Sequence, residues 1–293
     1  MPAVFVVIWS TGFIVAKYGM PYAPPLTFLA IRYFLSITCF LAWIGAARPA
    51  WPGSRAQWGH LAVTGVLMHA CYLGGVWIAV KAGMGSGLTA LIVGLQPVLT
   101  ALWVSWVSSG GGDQAASKVT ARQWAGLALG LGGLVLVVSR KFGIGHEVTA
   151  LTLACTVFSL FSITAGTLYQ KRFVKPTDVR TASIIQLAAA FVVTLPLALF
   201  ETEAVNWHPH MLGAMAWSVL VLTLGGSSLL YLLIQRGAAT AVTSLLYLVP
   251  PTTALMAWAL FGESITMTTI IGTAVTALGV SLVVRAARPA PAP

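Results

Sequence analysis

The sequence predicts an all-α integral membrane protein with ten transmembrane helices, arranged as two inverted five-helix repeats. Three observations lead to this prediction. First, 58% of the 293 residues are hydrophobic and only 8% are charged, whereas soluble domains carry roughly a quarter charged residues. Second, apolar runs of about 20 residues, the length that crosses a bilayer, recur along the whole chain. Third, two pairs of segments resemble each other in sequence.

Ten apolar stretches are the candidate membrane spans. Each is close to the ~20 helical residues that cross hydrocarbon, and the first is the shortest. The chain begins with an apolar run that no basic region precedes, so the first stretch is predicted to be a membrane span rather than a cleaved signal peptide. The candidate spans cover residues 3–18, 26–45, 57–80, 87–107, 121–139, 149–170, 181–200, 211–235, 240–261 and 267–285.

The distribution of basic residues predicts the orientation. When the N-terminus is placed in the cytoplasm, most lysines and arginines between the spans fall on the cytoplasmic side, whereas Lys17, Lys81, Arg140 and Lys141 fall outside. The positive-inside rule then predicts that both termini lie in the cytoplasm, and the location expected for this multi-pass protein is the bacterial inner (plasma) membrane. Most of the lysines and arginines that produce the net charge of +10 lie between the spans, where they orient the protein in the membrane. No nucleic-acid partner is therefore predicted.

Several classes of function have no support in the sequence. Cys39, Cys71 and Cys155 lie far apart in apolar segments, so they form neither a metal-binding spacing nor a disulfide framework. The chain contains no phosphate-binding loop of the P-loop type, no pair of acids suited to hydrolysis and no Ser-His-Asp arrangement. We therefore predict no metal, no cofactor, no catalytic residues and no ATP-driven pumping.

Two pairs of segments support an internal repeat. The stretch "TALIVGLQPVLTALW" (89–103) resembles "SLLYLVPPTTALMAW" (244–258), with a proline near the middle of each. The stretch "GLALGLGGLVLVV" (126–138) matches "GTAVTALGVSLVV" (272–284) at six of thirteen positions. The two pairs occur in the same order, each at the end of a group of five candidate spans.

The repeat predicts two domains and a tail. The first five-helix repeat covers residues 1–140, the second covers 148–288, and residues 289–293 form a flexible tail. Because each repeat has an odd number of spans, the second enters the membrane in the opposite orientation, which produces a pseudo-two-fold axis in the membrane plane. This architecture is typical of carriers that work by alternating access and bind substrate at the repeat interface.

The prolines in the fourth and ninth spans are candidate hinges. A proline inside a helix removes a backbone hydrogen bond, and a freed carbonyl at membrane depth is tolerated where it faces protein or a wet cavity. Interrupted spans in corresponding positions of two repeats point to a transport site. Pro97, Pro250 and Pro251 are therefore predicted to be hinge residues, and structural kinks that seat neighbouring helices are the alternative.

The chain resembles the drug/metabolite transporter superfamily, in particular its EamA-like ten-span permeases. The residues that carry the resemblance are "WSTGFIVAKYGMPYAPPLTFLAIRYF" (9–34), "GLQP" (94–97), "YLVPP" (247–251), "LFGESIT" (260–266) and "GTAVTALGVSLVV" (272–284). The resemblance covers essentially the whole chain as two EamA-type halves. It implies a secondary transporter, usually an exporter, whose substrates are amino acids, other small metabolites or toxic compounds.

Polar residues inside the spans are the first candidates for a substrate site, because they are costly in lipid. Arg32 could attract an anionic group such as a carboxylate, or it could extend to the interface. His69 could titrate and couple transport to protons, or it could bond to a neighbouring helix. No acid lies at the centre of a span, and Glu263 is predicted to be structural, near the start of the tenth span.

Other candidates are amides and aromatic residues. Gln96 and Gln186 could hydrogen-bond to the substrate or, equally, bond between helices. The remaining candidates are Trp9, Ser10, Tyr72, Tyr231 and Tyr247. These residues could line an aromatic cavity that binds the substrate. Alternatively, they pack between helices or form aromatic belts at the membrane interfaces.

The predicted function is export of a small organic metabolite or toxic compound by alternating access, with proton coupling as an option. A lipid-flipping carrier is the alternative within this class. A membrane enzyme acting on lipid-linked substrates would need clustered acids or histidines, and "NWHPH" (206–210) with Glu201 and Glu203 is the only such cluster. A structural subunit would have no use for matched broken helices. The predicted partners are a small-molecule substrate and membrane lipid, and the protein is either a monomer or a homodimer.

Overall fold

The computed structural model describes residues 2–47, 49–110, 120–141, 147–226, 228–229 and 248–286. The regular elements in these ranges are helices. The α-helices are α1 (Pro2–Gly19), α2 (Pro25–Ala47), α3 (Arg55–Gly65), α4 (Tyr72–Lys81), α5 (Ser86–Val93), α6 (Gln96–Gly110), α7 (Ala121–Lys141), α8 (Ala150–Phe173), α9 (Val179–Ala198), α10 (Pro209–Ala216), α11 (Val249–Phe261) and α12 (Met267–Ala286). Two π-helical segments, Val66–Cys71 and Trp217–Gly225, follow α3 and α10 directly.

The apolar helices are those of a membrane protein. Within the described ranges, six helical runs are long and apolar enough to cross a bilayer, and four further apolar helices have 10–17 residues. Large apolar side chains on the outside of the bundle are highly exposed, for example Phe200 (83%) and Val192 (68%). A water-soluble protein rarely exposes so much contiguous apolar surface, whereas lipid solvates it.

Two predicted spans differ from simple helices. The third, Arg55–Lys81, is one continuous helical run with a π-helical segment at its centre. The fourth is divided into α5 and α6 at Gly94 and Leu95, which form a turn. The eighth and ninth spans are described only in part, because residues 230–247 lie outside the described ranges.

Polar residues determine where several helices begin. Ser54 Oγ accepts a hydrogen bond from Gln57 N (3.2 Å) at the start of α3. At the start of α8, Thr149 Oγ1 accepts from Thr152 N (3.1 Å), and Thr149 N donates to Thr152 Oγ1 in return. Each bond satisfies a backbone amide that the first helical turn leaves without a partner.

The helices pack in pairs that join the two predicted halves. Helix α2 packs along α9, α5 along α11 and α7 along α12, while α8 packs against α3 and α4. Helix α1 contacts both α10 and α11. Every one of these pairs combines a helix that precedes residue 142 with one that follows residue 147, so the interior of the bundle lies between the two predicted halves.

Helices α7 and α12 cross with their backbones almost in contact. A Cβ atom added to Gly133 would lie 2.5 Å from Gly272 O and 2.5 Å from Thr276 Oγ1. A Cβ atom on Gly126 would lie 2.6 Å from Gly279 O. Small residues allow such close contact between membrane helices, where dispersion and weak hydrogen bonds hold the pair together.

Two adjacent glycines of α7 provide a matched test of this crossing. We expect Gly133→Ala to destabilise the protein by about 1–3 kcal/mol, because the added methyl group overpacks the crossing. Gly132 has no atom within 4 Å of its added Cβ position, so Gly132→Ala should be neutral or slightly stabilising. Thermal unfolding in detergent measures both variants. Equal stability of the two would show that the glycine crossing does not hold α7 against α12.

Candidate functional site

The interruption of the fourth span lies just before its proline. Leu95 N donates to Ile92 O (3.2 Å), a tighter turn than the α-helix makes. Helix α6 starts at Gln96, which places Pro97 in its first turn. The amides of a first turn have no partner within the helix, so proline loses nothing there. Pro97 thus lies at the start of the helical segment that follows the break, and its role as a hinge stays a prediction.

The prolines of the ninth span also lie in a first turn, that of α11, and they meet the break in the fourth span. Pro250 and Pro251 follow Val249, the first residue of α11. A Cβ atom added to Gly94 would lie 2.7 Å from Pro250 Cγ. Ala254, one turn after Pro250 on α11, lies on the same interface, because a Cβ atom added to Gly87 would be 3.2 Å from Ala254 Cα. The interrupted fourth span thus crosses the start of α11 at the position of its own break.

The two π-helical segments are a feature that the sequence analysis missed. They occupy the third and eighth candidate spans, which correspond in the two predicted halves. Thr223 Oγ1 donates to Ser218 O (2.9 Å), five residues earlier, inside the second segment. Directly before the first segment, the added Cβ of Gly65, the last residue of α3, would meet the backbone of Gln186 on α9. Segments of π-helix are rare and occur often at functional sites.

Two consecutive residues of α2 connect these π-helical segments. Arg32 donates to Thr223 Oγ1 of the second segment from Nε (3.3 Å) and Nη2 (3.2 Å). Tyr33 Oη donates to the backbone oxygen of His69 in the first segment (2.9 Å). Tyr33 is completely buried, and Arg32 is 8% exposed. Helix α2 therefore holds both segments at the same depth, about 12 Å from its start at 1.5 Å per residue.

The structure brings four predicted site residues together around this point. His69, inside the first π-helical segment, is a neighbour of the Gln186 amide on α9. The Arg32 guanidinium lies within electrostatic range of both His69 and the buried Tyr72. Arg32, His69, Tyr72 and Gln186 thus form one polar cluster, which we call the Arg32 cluster.

The other predicted site residues lie elsewhere or make different contacts. Gln96 Nε2 donates to Thr167 Oγ1 on α8 (2.9 Å), a bond between helices. Ser10 Oγ donates to Val6 O on its own helix (2.8 Å), and the half-buried Trp9 packs against Phe5. Tyr231 and Tyr247 lie outside the described residues.

Carboxylates at one end of the bundle accept hydrogen bonds from the starts of two helices. We call this end, where α1 finishes and α2 begins, the Lys17 end. Glu201 accepts from Leu26 N (3.0 Å) and Thr27 N (2.7 Å) at the start of α2. Glu263 accepts from Ser86 N (3.0 Å) at the start of α5 and pairs with Lys17 Nζ (2.5 Å). Each carboxylate suits the positive end of the helix it faces.

The placement of Glu263 corrects one prediction. It is structural, as expected, but it faces the start of the fourth span rather than that of the tenth. A second, more exposed ion pair, Lys81–Glu203 (2.7 Å), lies at the same end, where Lys81 Nζ also donates to Met20 O (2.9 Å). At the Lys17 end, polar contacts therefore join residues before 142 to residues after 147.

At the opposite end, Asp178 begins α9. Its carboxylate accepts from Arg180 N (2.9 Å), and the Arg180 guanidinium forms a two-pronged ion pair with it, with Nη2 to Oδ2 at 2.8 Å. The hydrogen bond from the Arg180 side chain holds the pKa of Asp178 below its usual value of 3.8. The charged carboxylate is thus the form that the folded protein stabilises.

The Asp178 interaction predicts a small, pH-dependent loss of stability. Because the folded-state pKa is lowered, the stabilisation is present above pH 3.8 and is lost as the pH falls through the folded value. We expect Asp178→Ala to lower the unfolding free energy by about 1 kcal/mol at pH 7. Unfolding at pH 7 and pH 3 measures the effect. A loss that is the same at both pH values would contradict the assignment.

Tyr33 and Thr223 are the site residues that the sequence analysis missed. Threonine and tyrosine are common in apolar spans, and neither carries a charge that would single it out. The adjacency of Tyr33 to Arg32 was the only available signal. Among the described residues, no group of three or more His, Cys, Asp or Glu is placed to hold a metal ion.

These features define a polytopic membrane protein with a helical bundle, an interrupted fourth span that crosses the start of α11 and a polar cluster buried between two π-helical segments. Comparison with known proteins gives the family. The EamA-like transporter family matches residues 3–139 and 150–285. The chain belongs to this family and is a membrane transporter.

Individual relatives are distant and span most of the chain. An uncharacterized transporter of Archaeoglobus fulgidus is 24% identical over 96% of this chain and 94% of its own length. The inner membrane transporter YedA of Escherichia coli K12 is 24% identical over 88% of this chain and 81% of its own length. A probable amino-acid metabolite efflux pump of Salmonella typhimurium is 24% identical over 66% of this chain and 60% of its own length.

A solved crystal structure shares the fold. It aligns with 98% of this chain and 97% of its own residues, with a TM-score of 0.64 and 17% sequence identity. At this identity the likeness concerns the fold alone.

Proposed function

We propose that this protein is a secondary carrier that exports a small organic metabolite, such as an amino acid, by alternating access. The observation that carries the proposal is the crossing of the broken fourth span and the start of α11, where Gly94 meets Pro250. Interrupted helices that meet inside the membrane are typical of carriers with repeated halves. The efflux-pump relatives agree with export, and YedA agrees with a location in the inner membrane.

The proposed architecture is ten spans in two inverted repeats. Three correspondences support it. Prolines lie in the first turns of α6 and α11, which belong to the fourth and ninth spans, the π-helical segments occur in the third and eighth, and α2–α9, α5–α11 and α7–α12 each pair corresponding spans. Interrupted spans that occupy corresponding positions are the expected sign of such repeats.

The proposed resting state is closed towards the outside. With both termini in the cytoplasm, the Lys17 end is the outer end, and Glu201 and Glu263 tie the two halves together there. Pro97, Pro250 and Pro251 are the proposed hinges, because helix starts beside a break can reorient without losing backbone hydrogen bonds. Opening to the outside would require the Glu201 and Glu263 contacts to separate.

The proposed substrate site is the Arg32 cluster, and Trp9, Ser10, Gln96, Tyr231 and Tyr247 are proposed substrate contacts outside it. His69 is the proposed proton carrier, because an imidazole can take up and release a proton. The five acids among the described residues lie at helix ends or in loops, so none of them can play this role at mid-membrane.

Transport by the purified protein in liposomes tests the proposal. Vesicles are loaded with a pool of amino acids and related metabolites, a pH gradient is imposed in each direction, and mass spectrometry identifies what leaves. We expect a narrow set of solutes to leave along the gradient, and His69→Ala to abolish the dependence on the gradient. Protein-free vesicles are the control. Release that ignores the gradient would contradict proton coupling, and release of no solute would contradict metabolite export.

Lipid flipping is the second candidate function. A groove of about 260 Å³ lies between α2 and α9 on the outside of the bundle, and Ile31, Phe34, Phe191 and Leu195 contribute to its lining. An apolar groove of this kind accepts an acyl chain. Transfer of fluorescent phospholipids between leaflets, together with no release of solutes, would favour this function over metabolite export.

A further inference from the structure

The charge of Arg32 is buried without a carboxylate partner among the described residues. Its guanidinium has five N–H donors, and the acceptor that they reach in this part of the chain is the hydroxyl of Thr223. Within the described part of the chain, no carboxylate lies within 4 Å of it, and five of the six acids of the sequence belong to that part. A charge held inside a membrane protein is costly unless it is paired.

The contacts that Arg32 makes leave one edge of the guanidinium available. Thr223 takes Nε and Nη2, which form the side edge. Nη1 has no hydrogen-bond acceptor among the described residues, and Nη2 carries a second N–H. The Nη1–Nη2 edge is one of the two edges with which arginine binds the two oxygens of a carboxylate.

A second observation points to the same interface. Ser36 lies one turn after Arg32 on α2, and Ser218 is the residue whose carbonyl accepts from Thr223. Both hydroxyls are fully buried, and neither has a hydrogen-bond partner in the described structure. Among the described residues, α2 and the second π-helical segment thus hold one arginine without a carboxylate partner and two buried hydroxyls without a hydrogen-bond partner, although buried polar groups are normally satisfied.

We propose that Arg32 binds the carboxylate of the transported substrate, so the carrier selects small organic molecules with a free carboxylate. The inference rests on the proposed function and specifies its substrate class. One guanidinium supplies one positive charge, which matches the single carboxylate of a monocarboxylic acid or of an amino acid. A phosphate ester, with up to two negative charges, would leave an uncompensated charge in the membrane.

Matched pairs of substrates test this selection. Liposomes containing the protein are loaded either with the common amino acids or with their amides, in which the carboxylate is replaced by a neutral group, and with phosphoethanolamine as a phosphate probe that has no carboxylate. We expect exported amino acids to leave at least about tenfold faster than their amides, the factor expected from a charge-assisted hydrogen-bonded pair. Amides or phosphoethanolamine leaving as fast as the amino acids would overturn the inference.

Variants of Arg32 link the selection to this residue. Arg32→Gln should slow amino-acid export at least about tenfold and bring the ratio of acid to amide close to one. Arg32→Lys keeps the charge but loses the two-pronged geometry, so it should retain part of the selection. This variant provides the test if the glutamine variant does not fold. Arg180→Gln, which removes an arginine at the other end of the bundle, is the matched control and should keep the full ratio. An unchanged ratio in both Arg32 variants would overturn the inference.

A binding measurement separates this inference from the proposed function. Thermal stabilisation of the detergent-purified protein is measured with the same amino acids and amides. Stabilisation by acids alone, lost in Arg32→Gln, would support the carboxylate site even if no export were found, and the transport proposal alone would fail. Absence of both stabilisation and export would overturn the two together.

Discussion

Replacing Gly94 by valine is expected to reduce transport strongly while the protein remains folded. The added Cβ would lie 2.7 Å from Pro250 Cγ and 2.9 Å from Ala90 O, so the interrupted fourth span could not pack as closely against the start of α11. Overpacking of this kind costs about 1–3 kcal/mol. If the cost falls on one of the two alternating states, its population changes by about 5- to 150-fold, and the transport cycle slows accordingly.

A matched control separates this effect from general damage. Gly132→Val introduces the same side chain at a helical glycine with no atom within 4 Å, and it should transport normally. Initial export rates from liposomes, normalised to the amount of folded protein, measure both variants. The role of the crossing would be refuted if Gly94→Val transported like Gly132→Val. A paired variant, Pro97→Ala with Pro251→Ala, tests the hinges themselves and should also slow transport.

Replacing Glu263 by alanine is expected to cause the largest loss of stability at the Lys17 end, about 2–4 kcal/mol. The carboxylate is 14% exposed, and it receives Lys17 Nζ, Ser86 N (3.0 Å) and Gly87 N (3.5 Å). Its removal leaves a half-buried ammonium group and two helix-start amides without an acceptor. Removing one partner of a buried pair is costly because the other charge stays behind.

The neighbouring pair Lys81–Glu203 provides the comparison. The Glu203 side chain is 49% exposed, and exposed ion pairs contribute about 0–1 kcal/mol, so Glu203→Ala should change stability little. Glu263→Gln keeps the shape and part of the hydrogen bonding, and it should fall between the two. Thermal unfolding of the three variants in one detergent ranks them. Equal losses for Glu263→Ala and Glu203→Ala would contradict the assignment of Glu263.

The helical membrane bundle could be predicted because it depends on properties that the sequence shows directly. Length and hydropathy along the chain decide where a helix can cross a bilayer, since every backbone polar group in lipid must be satisfied within the helix. The described helix bounds, such as Pro25–Ala47 for the span predicted at 26–45, agree closely. Glu263 was misplaced because a sequence does not say which helix start lies nearest to a loop.

The site could be predicted only in part. Arg32 and His69 stand out because charged and titratable side chains are rare in apolar spans, and the structure brings them into one cluster. The π-helical segments depend on backbone hydrogen bonds that no residue type specifies, so Val66–Cys71 and Trp217–Gly225 left no signal. Thr223 became recognisable as a partner of Arg32 only when the two helices were seen together.

The carboxylates at the Lys17 end have a consequence for biosynthesis. Helices α2 and α5 emerge early from the ribosome, but Glu201 and Glu263, which accept from their first amides, are translated much later. During translation these helix starts lack their carboxylate acceptors, and α5 gains its acceptor only when nearly the whole protein has been made. A chain that stops before residue 263 would therefore leave the amides at the start of α5 without their carboxylate acceptor.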